Sequence, residues 1–223
     1  MIREEVKIIS KEYLTKDVLK VEFEKPKEFQ FKPGQFINIK FEQEGSFRMR
    51  AYSILNTPSE ETLDICLKLI PGGLASESFK EAKENDKYTI IGPFGYFQLN
   101  EKEKEHVFIS TGTGVVPFIS MIKEFVKKDY KMTLIAGYKK KENILYQEEL
   151  KKIEQENKNF VYKPTITREE WTGLKGRVQK YLPEDLSKKM FYICGLKEFV
   201  IETKELLLER GVNEKYIKVE RYN

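Results

Sequence analysis

The sequence predicts two folding units of different class, a β-rich antiparallel half followed by an α/β half built on a parallel sheet. Three observations carry that expectation. Residues 1–100 are short β-rich runs separated by turn-forming residues, whereas from about residue 105 strand-like and helix-like runs alternate. Between the two rhythms lies EKEKE at 101–105, a charged segment suited to a surface connection. The expected domains are therefore 1–101 and 102–223.

In the first half the runs are VKIIS, VLKVEF, GQFINIKF, RAYSIL, TLDICLKLI and KYTIIG. Lys32-Pro33-Gly34, Asn56-Thr57-Pro58 and Pro71-Gly72-Gly73 punctuate them. Short strands at this spacing fit an antiparallel barrel or a sandwich. Only LASESFKEAKEN at 74–85 reads as helical. In the second half HVFIS, TLIAGY, FVYKPTI, KMFYICG and YIKVERY read as strands. VPFISMIKEFVKK, ILYQEELKKIEQEN and KEFVIETKELLLERG read as helices, the last ending at Gly211. Such alternation implies parallel strands with helices on both faces.

The bulk numbers exclude several classes. The 223 residues carry 40 Lys and Arg against 36 Asp and Glu, a net charge of +4 spread without a basic block. Nucleic-acid binding is not expected. No apolar run reaches membrane-spanning length and no secretory leader pattern opens the chain, so a cytoplasmic protein without membrane insertion is expected. The two cysteines, Cys66 and Cys194, lie too far apart in sequence for a disulfide framework or a clustered iron–sulfur motif, and no metal is expected. The single histidine, His106, enters a strand and reads as structural, which argues against a His-based triad.

Candidate chemistry concentrates in a few motifs. RAYS at 50–53 offers a planar cation for a pyrophosphate in Arg50, an aromatic face in Tyr52 and a hydroxyl in Ser53. GGLASESF at 72–79 is a glycine turn leading into a helix, where backbone amides and Ser76 could receive phosphates or simply cap the helix. Thr111, Gly112, Thr113 and Gly114 end the first parallel strand and open a helix, where open α/β sheets bind ligands. The spacing is G-x-G-x-x-P, and Pro117 suits a first helical turn because its missing N–H would be unpaired there anyway. Cys194-Gly195 ends the fourth parallel strand, so the thiol either packs on a ligand ring or is plain core, as Cys66 is expected to be. Thr167-Arg168 and Arg177 place two guanidinium groups where they could clamp a ribose 2′-phosphate, or pair with Glu169 or Glu170.

In this order the motifs resemble the ferredoxin–NADP reductase superfamily over nearly the whole chain. PGQF at 33–36 is similar to the strand before the flavin site, RAYS to the R-x-Y-S/T flavin motif and GGLAS at 72–76 to the pyrophosphate turn. GPFG at 92–95 resembles the turn closing the barrel, GTGVVPF at 112–118 the nicotinamide-dinucleotide loop, CGLKEF at 194–199 the CG motif and VERY at 219–222 the acidic and aromatic ending. The resemblance implies a six-stranded antiparallel Greek-key barrel for FAD, favoured over FMN, and a Rossmann-like five-stranded parallel domain for NADPH, with NADH possible. It places Arg50, Ala51, Tyr52, Ser53, Lys68, Gly72, Gly73, Leu74, Ala75 and Ser76 around the flavin. Thr111, Gly112, Thr113, Gly114, Pro117, Thr167, Arg168, Arg177, Cys194, Gly195 and Leu196 fall around the nicotinamide nucleotide. Tyr52 would stack on the flavin and Ser53 approach its N5. Cys194 would line the nicotinamide pocket, Glu220 support it, and Tyr222 cover the opposite flavin face, so that Ser53, Cys194 and Glu220 form the catalytic set.

The implied activity passes electrons between NADPH and a one-electron carrier such as ferredoxin or flavodoxin, from a monomer or weak homodimer. The alternative is an NADH-dependent component serving an oxygenase or a larger redox complex. Two departures stand out: Tyr222 is followed by Asn223, and 54–62 holds no adenine-binding extension.

Overall fold

The computed structural model describes residues 1–43 and 45–222. The chain folds as two compact units, one built on residues 1–98 with 119–121 and the other on residues 99–118 with 122–222.

The first unit contains β1 (Ile2–Thr15), β2 (Val18–Glu24), β3 (Phe36–Gln43), β4 (Ser46–Ser53), β5 (Thr62–Lys68), α1 (Leu74–Glu81) and β6 (Lys87–Phe94). The strands form one sheet in the order β4-β3-β6-β1-β2-β5, every neighbour antiparallel. A bridge between Ile54 and Ile65 joins the two ends, curling the sheet into the barrel that the turn spacing allowed. Alternating residues point inward, among them Ile37, Ile39 and Phe41 of β3 and Leu19, Val21 and Phe23 of β2, all buried. Helix α1 closes this core with Phe79. Its ring is fully buried, stacked 4.9 Å from Tyr88 and set edge-on 5.4 Å from Phe41. Such a side chain contributes about 2–3 kcal/mol through burial alone.

The second unit contains β7 (Glu105–Thr111), α2 (Val116–Phe125), β8 (Lys131–Tyr138), α3 (Gln147–Glu156), β9 (Phe160–Ile166), β10 (Leu174–Lys175), β11 (Met190–Leu196), α4 (Lys197–Glu209) and β12 (Ile217–Tyr222). All strands are parallel, in the order β10-β9-β8-β7-β11-β12. The five expected strands are present. A sixth, β10, extends the edge with only two residues, too few to leave a periodic signal. Strand order reverses between β7 and β11, and that switch point places a crevice at their carboxyl ends.

Local chemistry sets the helix bounds. Pro117 sits in the first turn of α2, and Gly211, at φ +85°, follows the end of α4. Helix α3 starts at Gln147 instead of Ile144, because Tyr146 adopts a left-handed φ of +55°. Helix α1 stops at Glu81, earlier than the pattern at 74–85 suggested, and its cap Ala82 is extended.

His106 lies at the start of β7 with 1% exposure, beside the rings of Phe108, Tyr130 and Tyr192. Its Nε2 has no partner among the described residues, and its Nδ1 is 3.4 Å from the Tyr192 hydroxyl. Burial lowers its pKa from 6.5 to about 4. Between those values the unfolded chain binds the extra proton. Stability is therefore complete above about pH 6.5 and falls as the pH approaches 4, by on the order of 2–3 kcal/mol. Urea unfolding at pH 7.5 and 4.5 checks this: His106→Leu should show a clearly smaller loss over that interval than the parent chain.

Candidate functional site

In the first unit the RAYS segment is the end of an incompletely covered strand. Arg50 pairs across the ladder with Ile39 and Tyr52 with Ile37, so both share the inward face. Tyr52 is half-buried edge-on against Phe79, 6.2 Å away. Burial raises its phenol far above the ordinary value, so it stays neutral. Arg50 is exposed. Its guanidinium donates only to the Met49 carbonyl, at 3.0 Å, and meets no carboxylate among the described residues. Ala51 and Ser53 point the other way, Ala51 exposed and Ser53 buried.

The 72–76 turn stands at the start of α1. Gly72 has φ +70°, and a Cβ on Gly73 would lie 3.0 Å from the Ile70 carbonyl. The N-cap Gly73 supplies no side-chain bond, which leaves the first-turn amides of Leu74 and Ala75 to bind an anion. Ser76 has a structural task as well: its Oγ accepts from the Ile70 amide at 2.8 Å and closes the turn. Lys68 is exposed and paired with Asp17 at 3.3 Å, so the structure does not bring it to the Arg50 group through any contact. A cavity of about 460 Å³ runs from Leu74 and Ser78 to Phe41, Phe47, Tyr88 and Asp86. Sequence reading missed it because its walls come from four separate segments.

In the second unit the glycine loop sits at the switch point. Thr111 ends β7, and 112–115 form a 3-10 turn into α2. Gly112 has φ +53° and open space where a Cβ would be. Gly114 differs: a Cβ there would lie 2.2 Å from the Cys194 carbonyl oxygen. A Cβ on Gly195 would lie 2.6 Å from Thr111 Oγ1 and 2.8 Å from the Phe199 ring. The two strand ends thus fit together only through glycines, and the amides of the loop are held at the crevice.

Cys194 is completely buried and registers with Ser110 on one side and Glu220 on the other. Burial first, then the Glu220 charge, pushes its thiol well above the ordinary value, partly offset by a hydrogen bond with Tyr222. It is therefore a neutral, polarizable buried thiol and not a thiolate nucleophile. Leu196 is exposed opposite half-buried Tyr222. Asn223 lies outside the described residues. Cys66 is a core thiol raised to about 12 by burial.

Thr167 and Arg168 follow β9, their amides held by the Tyr138 and Lys139 carbonyls. The Thr167 hydroxyl also donates to the Tyr138 carbonyl at 3.2 Å. Glu169 accepts from the Lys141 amide, and Glu170 pairs with Lys175 at 2.6 Å. Neither takes an arginine. The Arg168 guanidinium is exposed without a carboxylate among the described residues, whereas Arg177 pairs with Glu202 at 2.6 Å. Glu202 was missed because it lies 25 positions from its partner on another element. Among the described residues no cluster of three or more His, Cys, Asp or Glu is arranged to hold a metal, and no helix is long and apolar enough to cross a membrane.

Known proteins match both units. An oxidoreductase FAD-binding domain model matches residues 5–99, and an oxidoreductase NAD-binding domain model matches 108–205. The ferredoxin–NADP reductase B of Sorangium cellulosum is 29% identical over 98% of this chain and 97% of its own. The anthranilate 1,2-dioxygenase electron transfer component of Acinetobacter baylyi is 28% identical over 88% of this chain, which spans 59% of that longer protein. A crystal structure of a ferredoxin NADP+ reductase from Neisseria gonorrhoeae, with bound FAD and NADP, superposes with a TM-score of 0.88 at 25% identity, covering 98% of each chain.

Two substitutions test the packing at the switch point. Gly114→Ala should destabilise by at least about 3 kcal/mol, because backbone must move. Gly112→Ala should cost only about 1 kcal/mol for its left-handed backbone. Thermal melting separates them; equal losses would refute the tight contact with Cys194.

Proposed function

The chain belongs to the ferredoxin–NADP reductase superfamily, an oxidoreductase with FAD-binding and NAD-binding domains, and we propose that it passes electrons between NADPH and a one-electron carrier of the ferredoxin or flavodoxin kind. We assign the FAD-binding domain to 1–101 and the NAD(P)-binding domain to 102–223. The observation that carries the reading is the glycine turn at the switch point, where Gly114 meets the Cys194 carbonyl and a Cβ on Gly112 would meet only open space. The fit for FAD rests on the donor set beside α1. Among the described residues Arg50 meets no carboxylate, the first-turn amides of α1 have no side-chain cap, and Tyr52 offers a neutral ring.

In this reading Arg50 and the α1 amides would hold the pyrophosphate with a hydroxyl from Ser76, Tyr52 would offer its ring to the flavin, and Ser53, whose side chain leaves the opposite strand face, would contribute its hydroxyl from the strand end. FAD, when bound, supplies the capacity to take two electrons as a hydride and to release them singly. The Thr111–Gly114 turn receives the nicotinamide nucleotide's phosphates. Cys194 stays protonated and shapes the nicotinamide pocket, with the Glu220 carboxylate beside it. Tyr222, hydrogen-bonded to Cys194, is the aromatic cover that a nicotinamide displaces. Arg168 and Arg177 read the 2′-phosphate, supported by the unclaimed charge of Arg168. Serving an oxygenase component is the second reading, favoured by the resemblance to the Acinetobacter electron transfer component.

Three variants test these roles. Arg50→Ala should weaken FAD binding about ten- to hundredfold, the cost of a lost charge-assisted bond, measured by flavin fluorescence titration. Arg168→Ala should raise the KM for NADPH about tenfold and leave that for NADH unchanged; no change would remove the phosphate role. Tyr222→Ser should tighten nicotinamide binding, and unchanged affinity would count against the cover.

A further inference from the structure

We propose that Glu202 sets how strongly the chain distinguishes NADPH from NADH, by competing with the ribose 2′-phosphate for the guanidinium of Arg177. The inference rests on the reading of Arg168 and Arg177 as the 2′-phosphate site. Arg177 Nη1 donates to Glu202 Oε1 at 2.6 Å. Both side chains are largely in solvent, 70% and 54% exposed, so the pair contributes little to the fold.

The backbone around the pair is held independently of it. Gly176 donates to the Ile166 carbonyl at 2.8 Å, and Val178 is buried. Gln179 Nε2 donates to Thr203 Oγ1 at 3.0 Å, which ties the same two segments together beside the pair. The backbones at Arg177 and Glu202 therefore stay adjacent whether or not the ion pair forms. Beside Arg168, Glu169 is taken by the Lys141 amide and Glu170 by Lys175, while Glu198 and Glu205 neighbour Glu202 on α4.

A 2′-phosphate arriving here meets two cations and one carboxylate. Because Glu202 and the phosphate share one guanidinium, they repel at short range in a partly screened setting. A ribose 2′-hydroxyl meets no such repulsion, and the carboxylate can accept a hydrogen bond from it. Glu202 thus weakens NADPH and tolerates NADH, holding the selectivity below what the two arginines alone would produce.

The test uses the FAD-loaded full chain, titrated calorimetrically with 2′,5′-ADP and with 5′-AMP. Glu202→Gln should bind 2′,5′-ADP about fivefold more tightly, the scale expected for removing one screened like charge. Its affinity for 5′-AMP should be unchanged or lower, and Arg177→Ala added to it should abolish the gain. Glu202→Ala should move in the same direction, and the kcat/KM ratio of NADPH to NADH should rise in parallel. Unchanged or weaker binding of 2′,5′-ADP by both Glu202 variants, with the melting temperature preserved, overturns the proposal. Parent protein that binds 2′,5′-ADP no better than 5′-AMP, and is indifferent to Arg168→Ala and Arg177→Ala, overturns the phosphate reading and this proposal with it.

Discussion

The second unit depends on a backbone-to-backbone approach that only glycine permits. The turn leaving β7 passes so close to the end of β11 that a Cβ on Gly114 would lie 2.2 Å from the Cys194 carbonyl oxygen. Gly195 makes the reciprocal allowance for the Thr111 side chain. Three consequences follow. The loop amides are fixed in position, the Cys194 thiol is sealed beside the loop without exposure, and α2 begins at Val116 directly after the turn. The arrangement is preorganised because it is made from main chain and not from mobile side chains.

The barrel unit achieves a similar result by different means. Its rigid part is the aromatic cluster around Phe79, which anchors α1 and supports Tyr52 from beneath. Arg50 projects from the same strand face without a carboxylate partner. Among the described residues Arg50 and Arg168 meet no carboxylate, whereas lysines such as Lys20, Lys87 and Lys189 pair with acids. The uncommitted charges of Arg50 and Arg168 fall on two candidate phosphate sites, one in each unit. A guanidinium suits that task because its planar fork matches phosphate oxygens.

Much of this was legible in the sequence, and what was not has physical causes. Short runs between turn residues exposed the barrel strands, and strand–helix alternation marked TLIAGY as the strand that the structure buries as β8. Pro117 and Gly211 marked helix ends because their backbone constraints are local. The short β10 left no period to detect. Tyr146 delayed α3 through a left-handed φ that no neighbouring residue signals. Ser76 reads in sequence as a phosphate donor, yet its oxygen also closes the 70–76 turn, a bond visible only once Ile70 is seen beside it. The pairing of Arg177 with Glu202 joins a loop to the middle of α4, and motif spacing carries no information about such contacts.

The most direct test of the central claim is anaerobic rapid mixing of the FAD-loaded protein with NADPH, repeated with NADPH deuterated at C4. The account predicts loss of the visible flavin absorption on mixing, slowed by deuterium, since hydride transfer requires the nicotinamide C4 held against the flavin. Flavin absorption that persists unchanged under excess NADPH and under excess NADH would contradict it.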